Sequence, residues 1–261
     1  MMKRALVTGA GKRLGRAIAL YLAGRGVDVA VHYNASGTEA EATAEEIRRL
    51  GAQAVPVQAD LTREAEMQAL VPAAAAALGG ALDLLVNSAS IFEYDNIRSA
   101  TRDSWDRHLE SNLRAPFVLT QAFAAQAPGP EVGGQWNEPT AQALVVNMID
   151  QRVLKPTPEF MTYTIAKMGL WAFTRTAAQA LAPRVRVNGI GPGPTMQGVR
   201  QSEAHFAGQR AATILGRGAG PEDVTGALGY FIGAPSVTGQ LICVDGGQHL
   251  NWKTPDVLGV E

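Results

Sequence analysis

The chain has 261 residues, 46% of them hydrophobic and 18% charged, enough apolar material for the core of one α/β domain and too little charge for disorder. With 23 Lys+Arg against 24 Asp+Glu and one cysteine, Cys243, it lacks the means for a broadly basic nucleic-acid surface, an internal disulfide or a Cys-rich metal site. No metal is expected, and the lone thiol fits a reducing cytoplasm.

Short apolar runs alternate with longer helical stretches along the chain. Arg4–Thr8 reads as a strand that ends in a glycine loop, followed by a helix over Leu14–Gly24. The start, Met1-Met2-Lys3-Arg4, is too closely followed by that strand to be an export signal. Val27–Tyr33 and Ala54–Gln58 are the next strands, with helices over Glu39–Leu50 and Glu64–Leu78. The longest uncharged apolar stretch, Ala69–Leu82, contains Pro72, Gly79 and Gly80. It falls short of the roughly 20 apolar residues of a membrane span and reads as a buried helix end and a turn. Leu82–Asn87 is a strand, Trp105–Ala125 a helix, Pro128–Pro139 a surface loop, Ala143–Met148 a strand and Phe160–Leu181 a helix. Arg184–Gly189 and Gln240–Val244 complete the strands. Strands that are apolar on successive residues are covered on both faces, and their alternation with helices implies right-handed crossovers. The expected fold is α/β: one Rossmann-type domain over residues 1–261, a doubly wound parallel sheet of about seven strands with helices on both faces.

The segment Leu6-Val7-Thr8-Gly9-Ala10-Gly11-Lys12-Arg13-Leu14-Gly15-Arg16 lies between the first strand and the first helix. Glycines there permit a tight turn, and the free N–H groups of the helix start favour a pyrophosphate. An ordinary glycine turn is the bland alternative. The order Thr8-Gly9 to Gly15 resembles the loop of the short-chain dehydrogenase/reductases, with Arg13 where that pattern has its middle glycine. The resemblance implies that Gly9, Lys12, Arg13, Leu14 and Gly15 hold the cofactor. No carboxylate stands between Val29 and Thr38 to bind a ribose 2′-OH. Asn34 and Ser36, helped by Lys12 or Arg13, suit a 2′-phosphate instead, so NADP(H) is expected over NAD(H); a plain helix cap at Asn34–Ser36 is compatible with this.

Tyr163-Thr164-Ile165-Ala166-Lys167 places a tyrosine and a lysine four apart on one helix face, with Asp150 thirteen positions before the tyrosine. An ammonium beside a phenol favours the phenolate and is expected to lower the tyrosine pKa, which suits general acid/base work. The pattern resembles the family's Tyr-x-x-x-Lys signature, and the resemblance covers Arg4 to about His249. It implies a catalytic set of Asp150, Tyr163, Lys167 and Asn112, the last carrying a water-linked proton relay to the lysine. It also implies cofactor contacts: Asp60 and Leu61 at the adenine, Asn87, Ser88 and Ala89 at the nicotinamide ribose, Tyr163 and Lys167 beside it, and Pro192, Gly193 and Thr195 at the carboxamide. A helix cap for Asp60 and a structural role for Asn112 are the bland alternatives.

Most of the superfamily carries a serine where this chain has Asp150. An ionised aspartate cannot donate to a carbonyl; it can accept a hydrogen bond from an amidine-like N–H, or deliver a proton once its pKa rises, and that chemistry suits a nitrogen heterocycle better than a ketone. Arg13, Phe92 and Asp150 together resemble the pteridine reductase branch, in which a flat pterin lies between the nicotinamide and an aromatic ring. The implied substrate contacts are Arg13, Ser90, Phe92, Asp150 and Tyr163. The expected activity is NADPH-dependent reduction of a dihydropterin, dihydromonapterin or dihydrofolate by a cytoplasmic homotetramer with no nucleic-acid or membrane partner. Reduction of a carbonyl such as a 3-oxoacyl thioester is the competing expectation. A non-catalytic NADP(H) sensor is a second, although it would be expected to lose Tyr163 or Lys167, and this chain keeps both.

Overall fold

Apolar residues on both faces drive the strands to the middle of the molecule. In β1 (Arg4–Val7), β2 (Asp28–Tyr33) and β4 (Leu84–Asn87) nearly every side chain is buried, as expected of a parallel sheet layered on both sides. The computed structural model describes residues 2–198 and 201–254. The expected domain's last residues, 255–261, lie outside them.

After β1 come α1 (Arg13–Ala23), β2, α2 (Gly37–Arg49), β3 (Ala54–Gln58) and α3 (Glu64–Ala77). Then follow β4, α4 (Arg102–Leu109), a π-turn over Glu110–Arg114 and α5 (Ala115–Gln126). β5 (Glu131–Gly133), β6 (Glu138–Thr140), β7 (Ala143–Met148), α6 (Met161–Leu181) and β8 (Val185–Pro192) come next. α7 (Glu203–Ala211), α8 (Pro221–Gly233) and β9 (Leu241–Val244) end the described elements. The sheet has seven strands in the order β3-β2-β1-β4-β7-β8-β9, parallel at every pairing. The expected Rossmann-type doubly wound sheet is what the chain forms.

Helix spacing builds the two covering layers. Ile18, Ala19, Leu22 and Ala23 of α1 pack with Ala40, Ala44 and Ile47 of α2 and with Val224, Leu228 and Phe231 of α8 on one face. Met67, Leu70, Val71 and Ala74 of α3 pack with Leu119 and Phe123 of α5 on the other. The chain crosses from one side of β1 to the other between β3 and β4, so the crevice at the carboxyl ends of β1 and β4 is the topological switch point where ligands bind in open α/β sheets.

Three segments differ from the sequence expectation. The helix expected over Trp105–Ala125 is interrupted by the π-turn, because the buried Asn112 binds Ile91 of the neighbouring loop with both ends of its amide. The Pro128–Pro139 loop folds into the exposed antiparallel pair β5–β6. The last stretch before β9 forms helices α7 and α8, the second of which starts on Gly220-Pro221 with proline at its first position. Among the described residues no helix is long and apolar enough to cross a membrane.

Candidate active site

The glycine loop is shaped by its backbone. Gly9 has φ +66, and a Cβ there would meet Ala89 Cα at 3.0 Å; a Cβ on Gly15 would sit 2.2 Å from the Gly9 carbonyl oxygen. Only glycine lets the loop, β4 and α1 approach this closely. Arg13 adopts φ +52, so the position keeps the left-handed backbone of the glycine it replaces, at a cost of about 1–2 kcal/mol. The first turn of α1 has neither an acidic residue nor a side-chain cap, which leaves its N–H groups for an anion. The loop therefore fits a dinucleotide pyrophosphate.

Two buried residues hold this loop: Thr8, named in the sequence only as the start of the motif, and His32, which the sequence did not single out. Thr8 Oγ1 accepts from Ser88 N and Ala89 N, both at 2.9 Å, joining the end of β1 to the segment after β4. His32 accepts the Gly9 N–H through Nδ1 (3.0 Å), so its proton is on Nε2, which donates to the Ala59 carbonyl (3.1 Å). Burial pushes its pKa down to about 4, partly opposed by the Ala59 bond. An unfolded chain takes up that proton near pH 6.5 and the folded chain only near 4, so acidification through this window favours unfolding, by about 3 kcal/mol for the full shift. Urea unfolding between pH 4 and 7 should show this loss of stability, flattened in His32→Asn; an equally steep profile in the variant would refute the assignment.

The neighbouring expected cofactor residues divide. Ser36 Oγ lies against the glycine loop, 3.3 Å from where a Gly11 Cβ would be, and Asn34 is exposed beside it. Lys12 is paired with Glu39 at 2.6 Å, so a phosphate has to compete for it. Leu14 packs against the core and Leu61 is buried within it. Asp60 forms a turn ahead of α3 and does not cap it, the N-cap being Arg63: its Oδ1 accepts from Thr62 N (2.9 Å) and Thr62 Oγ1 (2.7 Å). Asn87 donates to Asn147 Oδ1 at 2.8 Å, tying β4 to β7 at the carboxyl ends of these central strands. On the far side, Pro192 ends β8, Gly193 N donates to Val244 O (3.0 Å), and Thr195 Oγ1 donates to the Gly193 carbonyl (3.1 Å). Arg13, expected at the cofactor and the substrate, donates to the carbonyls of Gln197 (2.7 Å) and Met196 (3.0 Å), spanning from the glycine loop to the segment after β8.

Asp150 and Tyr163 meet directly. Tyr163 Oη donates to Asp150 Oδ2 at 2.9 Å, Arg152 N donates to Oδ1 at 2.8 Å, and the Ser90 hydroxyl also faces the phenol. Lys167 Nζ donates to the Met148 carbonyl (2.8 Å) and lies 5.6 Å from the Tyr163 ring centre. This geometry corrects the expected acidity of the tyrosine. Burial and the Asp150 carboxylate hold the phenol well above its usual pKa, so the hydroxyl keeps its proton and donates it in the bond to Asp150. Burial likewise raises Asp150, and it lowers Lys167 to about 8 against the opposing pull of Asp150. Asn112 is fully buried and its amide exchanges two hydrogen bonds with Ile91, so its side chain serves the π-turn.

An aromatic wall closes the site. Phe92 is half-exposed, stacks on Phe160 (centroids 4.3 Å, planes 11° apart) and meets Tyr163 edge-on at 4.7 Å. Phe160, which precedes α6 in a left-handed conformation, has the Arg152 guanidinium 5.3 Å from its ring centre. Neither Phe160 nor Arg152 carried a sequence signal, because their contacts arise only when the segment after β7 folds back on the segment after β4.

Known proteins of the same pattern agree with this architecture. The family model of the short chain dehydrogenases matches residues 3–207. An uncharacterized oxidoreductase of Methylorubrum extorquens is 35% identical over 254 residues, spanning 94% of this chain and 97% of its own length. A 3-oxoacyl-(acyl-carrier-protein) reductase, FabG, of Staphylococcus aureus is 30% identical, over 96% of this chain and 99% of its own. The structure of FolM alternative dihydrofolate reductase 1 from Brucella canis, complexed with NADP, superposes with a TM-score of 0.89 at 42% identity, covering 98% of this chain and 97% of that one. The angucycline C-6 ketoreductase LanV with bound NADP is more distant, at 27% identity and a TM-score of 0.86, covering 95% of this chain and 96% of that one. With its glycine loop, its Tyr163–Lys167 pair and this agreement along nearly its whole length, the chain belongs to the short chain dehydrogenase family and is an oxidoreductase.

Proposed function

We propose that the chain is an NADPH-dependent reductase of a pteridine-type substrate, a dihydropterin, dihydromonapterin or dihydrofolate. The observation that carries this reading is the Tyr163–Asp150 pair, joined at 2.9 Å beside the half-exposed ring of Phe92. A carboxylate accepts hydrogen bonds from the N–H edge of a pterin, and an aromatic face adds about 0.5–1.5 kcal/mol by stacking beyond area burial. The resemblance to a structure described as an alternative dihydrofolate reductase supports the same substrate class. Against a simple ketone stands Asp150, which when ionised offers no hydrogen bond to a carbonyl oxygen.

The residues present fit NADP(H): uncapped N–H groups at the start of α1, glycines that admit no Cβ, and Ser36 and Asn34 with no carboxylate replacing them after β2. When bound, NADPH supplies a hydride from its nicotinamide ring. Tyr163 Oη delivers the proton, Asp150 holds the acceptor ring by its N–H edge, and Lys167 keeps a positive charge beneath the phenol below about pH 8. Arg13 ties the segment after β8 to the glycine loop across the mouth of the proposed cofactor site. The single thiol supports a reducing, cytoplasmic setting, and the family resemblance supports a homotetramer.

Steady-state kinetics on dihydrobiopterin, dihydromonapterin, dihydrofolate and an acetoacetyl thioester, each with NADPH and NADH, test the proposal. We expect turnover of at least one pterin and a higher kcat/KM with NADPH. Activity on the thioester with none on any pterin would overturn the substrate, and a preference for NADH would overturn the cofactor assignment.

A further inference from the structure

Helix α6 carries both Tyr163 and Lys167, yet nothing within the helix closes its start. The residue before it, Phe160, is left-handed (φ 57, ψ 49) and offers no side-chain cap, and its first turn has no acidic residue. Its orphan N–H groups are satisfied from another part of the chain. The Asp95 carbonyl accepts from Phe160 N (2.8 Å) and Met161 N (3.3 Å), and Asp95 Oδ1 accepts from Thr162 N (3.1 Å). Asp95 Oδ2 accepts from the Thr162 hydroxyl and from Ser104 Oγ of α4 (3.1 Å). One residue of the loop after β4 therefore does what an N-cap residue does, in trans, for the helix that holds the proton donor.

The same loop is bound a second time. Glu93 N donates to His108 Nε2 at 3.1 Å, which puts the ring proton on Nδ1; Nδ1 donates to Thr162 Oγ1 at 2.7 Å, and that hydroxyl donates to Asp95. The chain of hydrogen bonds thus leaves the loop at Glu93 and returns to it at Asp95, passing through the residue next to Tyr163. Phe92 is the residue before Glu93, and the His108 ring lies edge-on to Tyr163, 6.1 Å between centres. Asp95 is 2% exposed. Burial pushes its carboxyl up, but the bonds from Thr162 and Ser104 and the nearby His108 outweigh this and hold it below the usual carboxylate value. A buried carboxylate with every partner in place is a rigid joint.

We infer that Asp95 is a positioning residue, which fixes Tyr163 and the Phe92 loop in one frame by capping the catalytic helix from outside it. The inference rests on Tyr163 as the proton donor of the proposed reduction. A donor and a stacking ring mounted on separate elements are productive only if their spacing is held, and misplacement by about 1 Å can cost 10²-fold in rate. Asp95 supplies that constraint without touching the reacting atoms. The frame is separate from the glycine loop, which His32 and Thr8 hold.

The test compares wild type, Asp95→Asn and Asp95→Ala. Asparagine keeps an acceptor for Thr162 N–H, so it should recover much of what alanine loses. For Asp95→Ala we expect kcat/KM for the reduced substrate to fall by about 10²-fold, with a lower kcat and a higher KM, and Asp95→Asn to lie between it and wild type. The NADPH dissociation constant should stay near that of wild type in both variants. Amide hydrogen exchange should speed up at residues 161–163 in Asp95→Ala and remain slow in the helices behind the glycine loop. The inference is overturned if Asp95→Ala keeps wild-type kcat/KM, if Asp95→Asn is no better than alanine, or if NADPH binding weakens in step with activity. It is equally overturned if exchange rises throughout the protein, as a general loss of stability would cause; should Asp95→Ala not fold, the exchange and kinetics of Asp95→Asn decide. A wild-type enzyme that reduces a ketone and no pterin would sink the proposed substrate, while the same series assayed on that ketone, with the exchange measurement, would still decide the role of Asp95.

Discussion

Tyr163→Phe should remove most turnover, a loss of about 10²–10⁴-fold, while NADPH binding is little changed. The substitution deletes one atom from a ring whose other contacts are apolar or through the ring face: the edge of Phe92 at 4.7 Å, the edge of His108 at 6.1 Å and Lys167 Nζ at 5.6 Å. Those contacts survive in phenylalanine, so the experiment isolates the hydroxyl. That hydroxyl is held on Asp150 at 2.9 Å and is kept protonated by burial and by the carboxylate, so it is in the donor form across the physiological range. In its absence the proton has to come from Asp150 itself or from water, neither of which occupies the position of the phenol. Cofactor affinity measured by fluorescence titration, beside single-turnover rates, separates the two quantities. Full activity in the variant would show that Tyr163 is not the proton donor.

The layout of the molecule was legible where chemistry is written in adjacent residues. Apolar runs such as Leu84–Asn87 and Ala143–Met148 have one stable placement, the middle of a covered sheet, and their alternation with helices leaves few topologies. The glycine loop and the Tyr163–Lys167 spacing are local in the same sense, since a turn and a helix face are set by neighbours in the chain. The expectation for Leu82–Asn87 began two residues early because Asp83, though inside an apolar run, turns its carboxylate back to the N–H groups of Lys3 and Arg4. The π-turn left no trace in the hydrophobic period of α4 and α5, since it is imposed by Ile91, a residue of another segment. The acidity of Tyr163 was misjudged for a related reason: spacing along the helix showed the lysine, but only the fold shows that the hydroxyl points at Asp150 and the ammonium at Met148. His32 and Asp95 escaped notice because a buried polar residue is understood from its partners, here 23 and 67 positions away.

Asp150→Ser should lower pterin kcat/KM by about 10-fold and improve the ratio of ketone to pterin activity. The size follows from exchanging a hydrogen bond to a charged acceptor, worth about 1.5–3 kcal/mol, for one to a neutral hydroxyl. The direction of the specificity change follows from what each side chain can do: serine donates to a carbonyl oxygen, whereas the ionised carboxylate only accepts. The substitution also acts on Tyr163. Asp150 is one of the causes holding the phenol above its usual pKa, so its removal lets that pKa fall, and a reaction that needs the protonated tyrosine should lose activity at a lower pH than in wild type. Lys167 should lose its proton earlier as well, because Asp150 opposes the burial that already brings it to about 8. The pH profile of kcat/KM therefore distinguishes a specific electrostatic role from a packing defect: a descending alkaline limb displaced to lower pH supports the pairing of Asp150 with Tyr163, and an unmoved limb with unchanged pterin turnover would remove Asp150 from the site.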